Sequence, residues 1–539
     1  MKIKPVHFEG LNCLEDQIVS IVAGAGKTNY PLIFSESWRF NFEDKSKSIP
    51  SKKNNDDEDG SLEFHTILGL LKKYCGVKTN TYEYKHNENP IDVISNCLQE
   101  KTPTVIDINS FWCPWDDNYQ KIYHSHFCIP ERINSDSKEL ICIDAWYQKG
   151  GFILPFDHVN KGSHFLIKFA FDDQDNSHID LKMLVLNHIN TINNGINHGE
   201  NIFQMMRTFA KNISVNPGFI NEVREAPILW QSPIFFKFQE IQKGRAKYSK
   251  FLEYLSENTA YNFSKEISQL ISVAVKWSTA KTLLTKAVFS NEHAIIIKKL
   301  SSIIKEIADF EESIVASLLN KIEGKSSEST VYYQRLSYDN KTNEQNDFVS
   351  DYVFLNLSDF LNNKGIDVLD SINSNADLTG NGHYILADDK LNSKSINLNS
   401  IHFKIPQIAN DKCDNIVCTN QTIEAPKDTI FNSISVLGCT VWDDMLFNLE
   451  LNYKNGSKLN LEIGISQWIV TPMYGEDVFW EGNGIEKSGG KTNIMNKPVR
   501  LFAKKYKLPL GVPLEYIKLP DCPNIHIFAI SLEKKIFKP

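Results

Sequence analysis

The 539-residue chain carries 58 Lys and Arg against 66 Asp and Glu, a net charge of −8, with 42% hydrophobic residues. It exceeds what one hydrophobic core supports, and at roughly 100–200 residues per domain about three domains are expected; the acidic balance speaks against nucleic acid as partner and suits a cationic one. Ten scattered cysteines without a CxxC, and an N-terminus Met1-Lys2-Ile3-Lys4-Pro5 without an apolar h-region, predict a reduced, cytoplasmic protein, and no stretch approaches the roughly 18 apolar residues of a membrane span.

Gly10 permits a tight turn before Cys13, and Cys13, Leu14, Gln17, Ile18, Ile21 and Val22 follow the spacing of an amphipathic helix. A cysteine that opens a helix is a candidate nucleophile, because backbone N–H groups there favour the thiolate; the competing reading is a buried core cysteine. Gly24-Ala25-Gly26-Lys27-Thr28 ends like a phosphate-binding loop but lacks its first glycine and follows a helix, so it reads as a helix stop. Residues 44–61 are a charged, low-complexity excursion. Helices over about 62–74 and 90–100 then precede an apolar strand, Thr104–Ile108.

Ile122–Pro130 and Leu140–Asp144 read as two strands, the first carrying His124 and His126 on one face. A thiol needs a base, and that base needs a carboxylate or amide to fix its tautomer. His126 and Asp144 meet this need if the two strands are neighbours; His124 is the rival base, and a sheet histidine is the alternative reading.

Gly10-Leu11-Asn12-Cys13-Leu14, Pro103–Asp107, Phe111-Trp112-Cys113-Pro114-Trp115, His126-Phe127 and Ile143-Asp144-Ala145-Trp146-Tyr147 resemble the N-terminal domain of the butirosin-biosynthesis H proteins. That group is related to papain-like and bacteriocin-processing cysteine peptidases. The resemblance implies an acyltransferase that takes an acyl group from a phosphopantetheine thioester on an acyl or peptidyl carrier protein and gives it to a small-molecule amine. It makes Cys13 the nucleophile, His126 the base for both thiol and amine, and Asp144 its orienter. Papain-like enzymes usually place an oxyanion-hole Gln six residues before the nucleophile; His7 stands there, so His7 and Asn12 are oxyanion candidates. Glu36, Asp107 and Trp115 are substrate-binding candidates, the two carboxylates for a second ammonium group of a diamine, polyamine or aminoglycoside.

Residues 165–325 read as helical, with Ile267, Leu270, Ile271, Ala274, Leu283, Leu284, Ile296, Ile297, Leu300, Ile303, Ile304 and Ile307 at bundle spacing. Lys243, Arg245, Lys247 and Lys250 form a basic patch, read as a solvated helix face or a surface for an acidic carrier protein. His188 and His198 show no ligand spacing, and no metal or bound cofactor is expected. Gly324–Ser329 reads as a linker. Beyond it, Ser433–Gly438, Leu446–Tyr453 and Ile525–Ile530 alternate as strands. Asn363–Ile366, Asp377–Gly382 and Asp414–Gln421 resemble galactose-binding-like sandwiches, for which Trp442, Trp468 and Trp480 are either stacking or core residues. The expected architecture is an α+β papain-like catalytic domain over 1–162, a helical bundle over 163–325 and a C-terminal β-sandwich over 326–539. A peptidase or amidohydrolase using the same triad, and a non-catalytic scaffold or carbohydrate-binding protein, are the alternatives.

Overall fold

A computed structural model describes residues 3–8, 10–41, 67–116, 118–172, 179–194, 201–215, 218, 221–223, 232–289, 293–324, 348–368, 374–391, 396–398, 401–409, 412–488, 491–508 and 511–537. The excursion at 44–61, His198 and nearly all of the linker that begins at Gly324 lie outside these residues. The chain is α+β and falls into two compact units, one of Met1–Phe209, Glu240–Ala274 and Ala308–Tyr333, the other of Ala210–Gln239, Val275–Ile307 and Gln334–Pro539.

The first unit is built on α1 (Cys13–Gly24) and an antiparallel sheet. Its strands are β1 (Val77–Glu83), β2 (Thr104–Asn109), β3 (Ser125–Asn134), β4 (Glu139–Asp144), β5 (Lys149–Pro155) and β6 (Phe165–Phe171), in the spatial order β1-β6-β2-β3-β4-β5. Thr104 to Ile108 are all buried, as a strand in the middle of a sheet requires. Pro130 lacks an N–H, and the β3–β4 ladder shifts between Pro130 and Arg132. On the site side of that bulge the register is Ile129 to Ile143, which places His126 and Asp144 on one face as diagonal neighbours. Helix α2 (Pro90–Gln99) has Asn89 as its N-cap. Of the helix expected over about 62–74, residues 67–70 are helical, and Leu71–Cys75 form a π-helical turn closed by Gly76 at φ 62°.

Two boundaries differ from expectation. Phe165–Phe171 is a strand between β1 and β2, so the sheet continues past residue 162. Nor is the helical region a domain of its own: Ser264–Phe289 and His293–Ile322 span 26 and 30 residues, about 39 and 45 Å, and each contributes to both units.

The expected basic patch is also corrected. Arg245 is fully buried, with Nε and Nη2 each 2.8 Å from a carboxylate oxygen of Glu311, which also accepts from Trp38 Nε1 at 2.7 Å. Lys247 is buried too, its Nζ 2.8 Å from Glu15. Lys250 pairs with Glu253, and Lys243 lies over the Trp146 ring. Charge spacing along one helix cannot tell a solvated face from one that meets buried carboxylates.

The second unit contains the β-sandwich. One sheet runs Ile416–Thr419, Asp521–Phe537, Ser433–Thr440, Val499–Lys507, Asp477–Gly482, with Phe348–Phe354 also paired to Asp521–Phe537. The other runs Thr422–Glu424, Leu514–Lys518, Met445–Tyr453, Lys458–Ile465. Both sheets feed one apolar core that includes Val436, Phe447, Leu449, Ile463, Leu501, Ile517 and Phe528. Among the described residues, no helix is long and apolar enough to cross a membrane.

Removing one partner of a buried ion pair strands the other, at about 3–5 kcal/mol. Glu311→Ala should therefore lower the unfolding free energy by about that amount in urea melts, and Arg245→Met with Glu311→Leu should recover most of it; a Glu311→Ala loss below about 1 kcal/mol would contradict this burial.

Candidate active site

Cys13 is the first residue of α1, and the sequence before it forms a complete cap. Asn12 Oδ1 accepts from the N–H groups of Leu14 at 3.1 Å and Glu15 at 2.9 Å, while Glu15 Oε2 accepts from Asn12 N–H at 2.9 Å. The second oxygen of Glu15 binds Lys247, so the cap is tied to helix Pro233–Asn258. Gly10 sits at φ 118°, where a Cβ would meet Ala246 Cβ at 2.8 Å, so both its backbone angle and its neighbours select glycine. The cap bonds engage the N–H groups of Leu14 and Glu15, and the Cys13 N–H stands at the helix N-terminus, where negative charge is favoured.

Across from Cys13 stands His126, 3% exposed, with Nε2 2.6 Å from Asp144 Oδ2. Burial works against the imidazolium, but hydrogen bonds and charge from Asp144 and Cys13 outweigh it and lift His126 to a pKa of about 10. Asp144 is fully buried and receives four donors. Gln17 Nε2 and the Trp146 N–H reach Oδ1, both at 3.1 Å; Trp115 Nε1 and His126 reach Oδ2 at 2.7 and 2.6 Å. Gln17 Oε1 in turn accepts from the Ala145 N–H at 3.1 Å. Gln17 lies one helical turn beyond Cys13, so one helix carries the thiol and also holds the carboxylate. The opposite ring nitrogen, Nδ1, is 3.9 Å from Asp116 Oδ2, and the Tyr147 ring lies edge-on to the imidazole.

The structure thus brings Cys13, His126 and Asp144 together in that order. His124 lies just before β3, bonded to Ser110, Asn118 and the Ser125 carbonyl, and stays out of the row. Asn12 is the helix cap, its side-chain oxygen committed to two backbone donors; of its side chain, Nδ2 is the group able to donate to an oxyanion. Two site expectations are corrected. Asp107 accepts from Ser163 Oγ and from the N–H groups of His164 and Phe165, and its other oxygen faces His164 Nδ1 at 3.2 Å, so it anchors the start of β6 instead of awaiting an ammonium group. Trp115 stacks on Phe152 and spends its N–H on Asp144, which makes it a support of the triad. Glu36 is half-exposed and paired with Arg39 at 2.5 Å. His7 has Nδ1 2.9 Å from Asp16 Oδ2 and its ring edge-on to Trp146. Burial raises Asp16 to about 6 despite the bond and charge of His7.

Sequence reasoning missed Gln17, Asp16 and Asp116. Gln17 was visible only as a polar residue interrupting an apolar helix face, and its partner lies 127 positions away. In the sandwich, Trp468 and Trp480 are buried in the core, and Trp480 Nε1 donates to Asp388 at 2.9 Å; Trp442 Nε1 donates to the Thr379 carbonyl at 2.9 Å. His188 is buried, its pKa pushed down to about 3 by burial and by Arg39 and Arg245. Among the described residues, no group of three or more His, Cys, Asp or Glu side chains is arranged to hold a metal ion.

Residues 361–536 match the family model of the AziU2-like beta-sandwich domain, which covers about a third of the chain and agrees with the two packed sheets described above. No curated protein matches the chain.

Removing Gln17 should loosen the carboxylate that holds His126. Gln17→Leu is expected to slow iodoacetamide alkylation of Cys13 at pH 7 by about tenfold, the cost of one hydrogen bond to a charged group, with Cys13→Ala as the blank; an unchanged rate would show that Gln17 does not support the pair.

Proposed function

We propose that the chain is a cysteine-dependent acyltransferase that forms an amide, its Cys13-bearing unit built as a papain-like catalytic domain and its C-terminal sandwich of the galactose-binding-like kind. The observation that supports this most is His126 held between the Cys13 thiol and a fully bonded Asp144. In this reading His126 takes the Cys13 proton, and the thiolate attacks the carbonyl carbon of an acyl thioester on the phosphopantetheine arm of a carrier protein. The oxyanion that forms meets the Cys13 N–H at the head of α1. Collapse breaks the donor C–S bond, His126 returns the proton to the departing thiol, and an acyl-Cys13 thioester remains. A neutral amine then attacks that carbonyl carbon, the C–N bond forms, the Cys13 sulfur leaves as thiolate, and the proton shed by the nitrogen passes to His126. The net acidic chain suits a cationic acceptor, a diamine, polyamine or aminoglycoside, and the setting is the reduced cytoplasm.

The test is intact-protein mass after incubation with an acyl-phosphopantetheine thioester, followed by a panel of amines. The expected result is a single acyl adduct on wild type, none on Cys13→Ala, and discharge by amine to an amide. Discharge by water alone would replace this reading with a hydrolase, and no adduct with any thioester would overturn it.

A further inference from the structure

The acyl-transfer reading leaves open how the acceptor loses its proton. Alkyl amines reach neutral solution as ammonium ions and must be neutral to attack. His126 is poorly placed to meet them. It is 3% exposed, its Nε2 is held by Asp144, and its other side faces Cys13.

A second His–Asp pair stands beside the first. His7 Nδ1 is 2.9 Å from Asp16 Oδ2, and Asp16 sits on α1 three residues after Cys13, on a neighbouring face of the same first turns. The His7 ring also meets Trp146 edge-on at 5.4 Å, and the Trp146 N–H is one of the four donors to Asp144. His7 therefore touches one residue three positions after Cys13 and another two positions after Asp144. Unlike His126 it is 23% exposed, and its Nε2 has no partner among the described residues. Asp16 is wholly buried, with Oδ1 unpartnered; Glu15 and Lys243 are the other charged groups that act on it. Trp146 is exposed and meets both groups, with Lys243 Nζ 5.8 Å from its ring centre and the His7 ring edge-on to it.

We infer that His7, held through Nδ1 by Asp16, is the base that deprotonates the amine acceptor, so that the chain carries one His–Asp pair for its thiol and another for its amine. This rests on the acyltransferase reading and assigns to His7, not His126, the proton that makes the acceptor neutral. Asp16 fixes the Nδ1–H tautomer and offsets the imidazolium that forms, as a carboxylate does for any histidine base. Nε2 accepts the ammonium proton, and the neutral nitrogen bonds to the acyl carbon. The carbon–Cys13 sulfur bond breaks, the sulfur leaves as thiolate, the second proton of the nitrogen passes to the neutral His126 and restores the imidazolium beside Cys13, and His7 returns its proton to water. A hydrolase needs a base for its water alone, which arrives neutral and so carries no ammonium proton to remove first.

Acyl-enzyme is prepared on wild type, His7→Gln and Asp16→Asn with the same acyl-phosphopantetheine thioester, and its discharge is followed by mass with methylamine and with hydroxylamine, which is already unprotonated at pH 7. General-base catalysis is worth about 10²–10⁴-fold, so discharge of His7→Gln by methylamine should fall about 100-fold or more, while discharge by hydroxylamine should fall less than about tenfold. Asp16→Asn should show the same selective loss to a smaller degree. Gln keeps a donor for Asp16, so His7→Gln preserves the packing. An equal loss with both nucleophiles would make His7 a structural group, and no loss with either would fit an oxyanion donor that Gln replaces; each would overturn the inference. Failure of wild type to form an acyl-enzyme would overturn the acyltransferase reading and this inference with it.

Discussion

Asp144 has no exposed surface, and its two oxygens take hydrogen bonds from four separate places: Gln17 on α1, Trp115 after β2, His126 on β3 and its own neighbour Trp146. A buried carboxylate tolerates burial only when its lone pairs are filled, so each donor is held in place by the cost of leaving that oxygen bare. The consequence is geometric. Because Gln17 and Cys13 share one helix, a shift of α1 along its axis would break the Gln17 bond as well as move the thiol away from the imidazole.

The start of α1 is secured in the same manner. Glu15 closes the capping box and also pairs with buried Lys247, while Arg245, two residues earlier on that helix, spends its guanidinium on Glu311. Replacing such buried pairs with apolar side chains often leaves stability unchanged or improves it, so their presence is better read as fixing position than as adding stability. Position is what a nucleophilic thiol requires of its helix, since a displacement of about 1 Å from the productive geometry can cost on the order of 10²-fold in rate.

Local pattern carried much of this. The spacing from Cys13 to Val22 gave a helix with the right first residue, Pro90 and the apolar run at 104–108 gave the next helix and strand, and alternation over 446–453 gave a sandwich strand buried on one face. What stayed hidden depends on partners distant in sequence. Asn12 with Glu15 already spells a capping box, which the geometry fills, while its place beside Cys13 marks it equally as an oxyanion candidate. Asp107 looked free because its donors, Ser163 to Phe165, lie more than fifty residues on, at the start of a strand that returns to the middle of the sheet. Arg245 and Lys247 looked solvated because their carboxylates belong to other helices. Trp480 read equally as a stacking or a core residue, and its ring fills the sandwich core.

The account turns on His126 holding a proton between Cys13 and Asp144, and that is open to direct measurement by ¹⁵N NMR of the histidine rings across a pH series. His126 Nδ1 and Nε2 should both carry protons at pH 8, and the ring should titrate near 10. Since that value lies above the unfolded 6.5, the pairing contributes stability that is complete below about pH 6.5 and lost as pH rises through 10. In Cys13→Ala the titration should move down, because one of the two partners that raise it is gone. A neutral His126 at pH 8 in the wild-type protein, or a titration that Cys13→Ala leaves unmoved, would contradict a coupled thiol–imidazole–carboxylate unit.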